Sequence, residues 1–95
     1  MEKVKVIFRK CKNEYMNEYE VIAFLPETPA CYGNIMSYMH IGQHGEASME
    51  FYQATKKTAP EEYADLLEEL KRVYHDCELV VKQRMNYDDV RKSWR

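Results

Sequence analysis

The chain has 95 residues, which is enough for one domain and too few for a second core. Of these residues 45% are apolar and 32% are charged, a composition that is typical of a folded globular protein. Its formal net charge of −2 argues against a protein that is held to nucleic acid by bulk electrostatics. No apolar run reaches transmembrane length, and Met1 leads into an alternating pattern rather than a secretory signal, so we expect a cytoplasmic protein without a membrane partner. Three isolated cysteines, Cys11, Cys31 and Cys77, are typical of reduced thiols in that compartment.

Two strands joined by a hairpin are predicted at the start of the chain. The first strand alternates apolar with basic side chains, although Ile7 interrupts the basic side. These side chains are Val4, Val6 and Phe8 on one face and Lys3, Lys5 and Arg9 on the other. Polar residues 11–18 predict the connection, and the apolar run 19–25 predicts a central second strand. Residues 26–33, with two prolines, predict a loop.

A third strand is predicted over residues 34–41, and a turn over 42–45, which holds two glycines. Ser48 is the predicted N-cap of a short helix that runs to about residue 55. Residues 49–52 also alternate in a way that suits a strand, so the residue pattern leaves both structures open.

The main helix has the strongest signal in the sequence. Thr58 is its predicted N-cap, and Glu61 completes a capping box around Pro60. An apolar stripe at helical spacing follows, made of Tyr63, Leu66, Leu67, Leu70 and Tyr74. Residues 75–76 end the helix, and 79–81 predict a fourth strand. The order β-β-β-α-β predicts an α+β fold, in which about four antiparallel strands carry the main helix on one face, with short extra helices allowed.

Residues 86–95 predict a short helical tail within the single domain 1–95. Tyr87, Val90 and Trp94 share one face of this helix, and its charges match the helix dipole. That face either docks on the domain's own sheet or anchors a partner, since tryptophan is enriched at binding hot spots.

The segment 36–46 is the most distinctive part of the chain, because it holds two of the three histidines and two of the three glycines. We expect Tyr38, His40, Gln43 and His44 to form a binding surface, with Trp94 as a second candidate. His40 and His44, followed by Glu46, would suit a metal-dependent enzyme if a turn brought them together. No nucleophile stands in an arrangement typical of an enzyme, and no cofactor is expected.

The basic side chains of the first strand make nucleic acid an alternative partner. Lys3, Lys5 and Arg9, with Tyr38 for base stacking, would suit a nucleic-acid-binding accessory protein. The alternative is that these cations pair with Glu18 and Glu20 across the hairpin.

Three segments, 37–45, 58–67 and 79–85, are similar to a group of short uncharacterised bacterial proteins met in gut bacteria and their mobile elements. The similarity extends over most of residues 19–85, and its most distinctive part is the run His-Ile-Gly-Gln-His-Gly at 40–45. The resemblance implies a bacterial, cytoplasmic accessory protein that acts on another macromolecule. Eight tyrosines and six methionines supply contact chemistry, so the function expected here is a non-enzymatic binding or regulatory module, as a homo-oligomer or with a protein partner.

Overall fold

The computed structural model describes residues 2–13, 18–39 and 43–94, and it contains six strands and three helices within those ranges. The strands are β1 (Glu2–Asn13), β2 (Glu18–Leu25), β3 (Asn34–Met39), β4 (Gln43–Ser48), β5 (Lys56–Lys57) and β6 (Cys77–Lys82). The helices are α1 (Met49–Ala54), α2 (Pro60–Val73) and α3 (Tyr87–Ser93). No helix in these ranges is long and apolar enough to cross a membrane.

The strands form one sheet in the order β4-β3-β2-β1, with β5 and β6 both paired to the other edge of β1. The predicted α+β class and the hairpin of the first two strands are confirmed, but the predicted number of about four strands is too low. β6 lies parallel to β1 along Glu2–Ile7, whereas every other pairing is antiparallel. β1 continues to Asn13, so residues 11–13 of the predicted connection belong to the strand, and residues 14–17 lie outside the described residues.

Helices cover both faces of the sheet. On one face, the α2 face, Val6, Phe8 and Leu25 form a core with Leu66 and Leu70 of the helix. On the other face, Ile7, Ile22 and Phe24 pack against Tyr52 of α1 and Val90 of α3, and we call this the α1/α3 face. Ile7 interrupts the basic side of β1 because that face of the strand is buried as well.

The main helix begins one residue later than its sequence predicts. Pro60 is the first helical residue, so the N-cap is Ala59 and not Thr58. The carboxylate of Glu62, rather than that of Glu61, accepts a hydrogen bond from the Ala59 N–H at 2.9 Å. The apolar stripe of the helix is as predicted, with the Tyr63 ring stacked on Phe8 at a centroid distance of 4.3 Å.

The two short helices have conventional caps. Ser48 caps α1, as predicted, and its hydroxyl accepts a hydrogen bond from the Phe51 N–H at 3.0 Å. Asn86 caps α3 in the same way, through the N–H of Asp88 at 3.0 Å. These caps satisfy backbone donors that a helix leaves unpaired at its start.

The C-terminal helix docks on the chain's own sheet. Val90 is 1% exposed, and the indole N–H of Trp94 donates to the carbonyl of Asn34 at 2.7 Å. Trp94 also forms an isolated bridge with Ala30, which fixes the loop after β2. Tyr87, the third residue of the predicted face, lies at the start of α3 and is 46% exposed.

Candidate functional site: the β4 edge

The second half of the most distinctive segment lies on the open edge of the sheet. The structure places Gln43–Ser48 in β4, so the predicted turn is wrong for residues 43–45, and residue 42 lies outside the described residues. Within the described ranges β4 pairs with β3 alone, and it ends the order of strands on that side. A strand in this position presents a row of backbone donors and acceptors that a further strand can bind.

The hydrogen-bond alternation shows which residues of β4 direct their backbone groups outward. The N–H of Met49 donates to the Gly33 carbonyl at 3.3 Å, one position beyond the end of the β3–β4 ladder. Because hydrogen-bonded and non-hydrogen-bonded pairs alternate in an antiparallel ladder, Gly45 also directs its backbone groups towards β3. The 2.8 Å hydrogen bond from the Ser37 hydroxyl to the Gly45 carbonyl agrees with this assignment. His44 and Glu46 therefore direct their N–H and C=O groups to the outer edge.

His44 is held in place by two tyrosines on the α2 face. It lies opposite Tyr38 in the ladder, with ring centroids 4.8 Å apart, and its Nε2 is 2.9 Å from the hydroxyl of Tyr74. Burial raises the pKa of the Tyr74 phenol. His44 itself is exposed, so the imidazole is both oriented and accessible. Sequence reasoning missed Tyr74 in this role because only tertiary packing joins residues that lie 30 positions apart.

Glu46 is a loop anchor in this structure. Its Oε1 accepts hydrogen bonds from the Cys31 N–H at 2.9 Å and from the Asn34 side-chain amide at 3.1 Å. His44 contacts Tyr74 instead, so these two members of the hypothetical metal site have separate partners within the chain. His40, the third member, lies outside the described residues. Among the residues that are described, no group of three His, Cys, Asp or Glu side chains is placed to hold a metal ion.

The predicted binding surface is divided between the two faces of the sheet. Tyr38 is only 1% exposed and donates its hydroxyl to Glu69 of α2 at 2.5 Å, so it supports His44 from behind. Trp94 packs on the α1/α3 face, where its ring lies 4.7 Å from that of Tyr32. The backbone of Gln43 pairs with Met39 at the start of β4. The structure therefore does not bring Tyr38 and Trp94 together into one surface.

An apolar cleft of about 240 Å³ adjoins β4. Its walls include Ile22, Met39, Ala47 and Phe51, and the Phe51 side chain is 39% exposed. Gly45 also borders this cleft and contributes no side chain to it. A strand that pairs with β4 would meet this apolar surface as well as the backbone edge.

The predicted nucleic-acid surface is engaged within the chain. Lys5 forms a 2.9 Å ion pair with Asp89 of α3, and this hydrogen bond raises the pKa of the lysine. Arg9 donates to the hydroxyl and the carbonyl of Thr55, at 3.0 and 2.6 Å. Lys3 lies 4.0 Å from the Glu78 carboxylate. The contacts of Lys5 and Arg9 join β1 to α3 and to the end of α1, whereas the pair of Lys3 and Glu78 lies on the surface. None of these contacts involves Glu18 or Glu20, the partners that the alternative predicts.

The three cysteines are free thiols in the structure, and Cys31 is the exposed one. Comparisons with known proteins add no information about function: no family model matches the chain, and neither a curated protein nor a solved structure does.

Proposed function

We propose that the chain is a small non-enzymatic interaction module of the cytoplasm, which acts through protein contacts made by the outer edge of β4. Its first partner is a second copy of the same chain. The observation that carries the proposal is the pattern of outward backbone groups on an edge strand whose side chains are complementary to themselves.

The register of such a dimer follows from charge and hydrogen-bond parity. If a two-fold axis passes through Gly45, His44 of one copy stands opposite Glu46 of the partner subunit. Both residues direct their backbone groups outward, so each pair exchanges two backbone hydrogen bonds. A shift of the axis to Glu46 would place two carboxylates opposite each other, which is unfavourable. The register centred on Gly45 therefore has the matching hydrogen-bond parity and places no two carboxylates opposite each other.

Gly45 can carry a probe for the position of the axis. Among the described residues, a Cβ added at Gly45 would meet nothing within 4 Å, so the strand has room for a side chain at this position.

A disulfide formed across the axis tests the register. In the proposed dimer the two Gly45 positions form a non-hydrogen-bonded pair, with Cα atoms about 4.5 Å apart, which is within the range that a disulfide spans. Gly45→Cys, made with the native cysteines replaced by serine, should give a cross-linked dimer under mild oxidation on non-reducing gels. Ala47→Cys is the matched control, because two such positions would be about 13 Å apart along the strand and should stay unlinked.

A second pair of variants tests the edge itself by light scattering over a concentration series. Glu46→Pro and Glu46→Ala both lose the contacts with Cys31 and Asn34, but only the proline variant loses the outward N–H. We expect the wild type to be a dimer, the alanine variant to dimerise more weakly and the proline variant to be a folded monomer by circular dichroism. A monomeric wild type, or equal dimerisation of the two variants, would contradict the proposal.

A further inference from the structure

A second surface with its own chemistry lies at the far end of β1, on the α2 face. Lys10, Lys12, Tyr19 and Lys56 form it, and we call it the Tyr19 patch. Lys12 stands opposite Tyr19 in the β1–β2 ladder, and Lys10 stands opposite Lys56 in the β1–β5 ladder. Opposite residues in a ladder share a face, as do residues two apart in a strand, so all four side chains project from the same side of the sheet.

The lysines converge on one aromatic ring. The ammonium groups of Lys10 and Lys56 lie 5.1 and 5.5 Å from the centroid of the Tyr19 ring, and Lys56 also donates to its hydroxyl at 3.2 Å. The hydrogen bond and charge of Lys56, with the charges of Lys12 and Lys10, lower the pKa of Tyr19. The ring is nevertheless 47% exposed, so it is available to a ligand.

The fold concentrates positive charge here at a cost in stability. Two cross-strand pairs in the β1–β5 ladder, Arg9 with Lys57 and Lys10 with Lys56, join like charges, an arrangement that disfavours pairing. Arg9 turns to Thr55 on the other face, but Lys10 and Lys56 stay on the patch. The carboxylate of Glu62 accepts from Lys10 at 2.8 Å. Among the described residues, the three ammonium groups and the ion pair of Lys10 with Glu62 make a cationic surface on a chain whose net charge is −2.

We infer that the Tyr19 patch binds single-stranded nucleic acid. Proteins that bind single strands combine cations that contact the phosphates with an exposed aromatic ring on which a base stacks. Lysine side chains are flexible, and each carries a compact positive charge. The ammonium groups can therefore move from the Tyr19 ring to a phosphate, and a base can then stack on the ring. This site is separate from Lys5 and Arg9, which contact Asp89 and Thr55, and from Lys3, which lies at the other end of β1.

The test is fluorescence anisotropy of a labelled oligothymidylate with the wild-type protein. If about three phosphates are contacted, the slope of log K against log salt should be about −2, which is roughly a 15-fold loss of affinity between 50 and 200 mM salt. Tyr19→Ala should weaken binding about fivefold or more, and Tyr19→Phe should retain it, because stacking needs the ring and not the hydroxyl.

Two lysine variants separate the patch from general charge. Lys12→Ala should reduce the salt slope by about 0.7, whereas Lys71→Ala, an equal change of charge on α2, should leave the slope unchanged. Absence of binding at low salt would overturn the inference. Equal competition by inorganic polyphosphate, or a Tyr19→Ala variant that binds as well as the wild type, would also overturn it, because base stacking would then play no part.

Discussion

The docking of α3 leads to a stability prediction with an internal control. Val90 in α3 is 1% exposed, whereas Val73 at the end of α2 is 43% exposed. Val90→Ala removes two methyl-sized groups from a core, at about 0.8 kcal/mol each, and leaves a small cavity in addition. Alanine recovers up to about 0.7 kcal/mol of helix propensity at either position. The expected net loss is about 2 kcal/mol for Val90→Ala, and Val73→Ala should be neutral or slightly stabilising.

Urea denaturation followed by the fluorescence of Trp94 measures both variants, since this is the chain's one tryptophan. A loss of about 2 kcal/mol in a domain of this size corresponds to a fall in Tm of about 8–16 °C. The m-value should stay unchanged if α3 unfolds with the rest of the domain. Equal effects of the two substitutions would refute the docking of α3, and a smaller m-value for Val90→Ala would show that α3 detaches before global unfolding.

Three further predictions concern polar contacts. Ser48→Ala removes the hydroxyl that accepts from Phe51 and should cost about 1 kcal/mol in urea denaturation. Tyr38→Phe removes a buried donor to a carboxylate of α2 and should cost about 1.5–3 kcal/mol by the same measurement. Hydrogen bonding to Lys10 lowers the pKa of Glu62 in the folded protein. The contribution of this carboxylate to the free energy of unfolding is therefore fully present above the pKa that Glu62 has in the unfolded chain, and it is lost as the pH falls through the pKa in the folded protein. Glu62→Gln should therefore destabilise the protein at pH 7, and its difference from the wild type should shrink as the pH falls through the folded pKa of Glu62. A difference that does not change with pH would contradict this assignment.

Local patterns account for most of the elements that the sequence predicts. The stripe of α2 and the alternation in β1 are periodic signals that burial of one face imposes, and both are present in the structure. The predicted start of α2 is one residue early because two consecutive glutamates, Glu61 and Glu62, could each complete a capping box. Pro60 decides between them, since proline favours the first helical position and makes the residue before it the N-cap.

The sequence predicts a strand at 79–81, but no local pattern predicts where this strand lies in the sheet. Helix α2 has 14 residues and carries the chain about 21 Å, from β5 near one end of β1 back to the other end. β6 therefore starts beside Glu2 and runs in the same direction as β1, which makes this pairing parallel. A two-residue strand such as β5 is likewise too short to produce a periodic pattern.

Gly45 is the reason why the prediction for residues 43–45 is wrong. Glycine most often marks a turn, so the sequence predicts a turn over 42–45, but Gly45 lies inside a strand whose alternation places His44 and Glu46 on one face. The partners of His44 and of the basic side chains come from α2, α3 and β6, and no spacing in the sequence predicts them. The composition of residues 36–46 marks the segment as distinctive, whereas the positions of its described side chains depend on tertiary contacts.

The two proposed surfaces are separable because the sheet holds them apart. The residue of the Tyr19 patch nearest to β4 is Tyr19 itself, which lies on β2, two strands away, or about 10 Å at the usual spacing of strands. Pairing at β4 would extend the sheet on the side opposite to β5 and would leave the patch of each copy uncovered. Substitutions more than 7–10 Å apart with no shared partner act independently in general. Glu46→Pro therefore tests the dimer without changing the Tyr19 patch, and Tyr19→Ala tests the patch without changing the β4 edge.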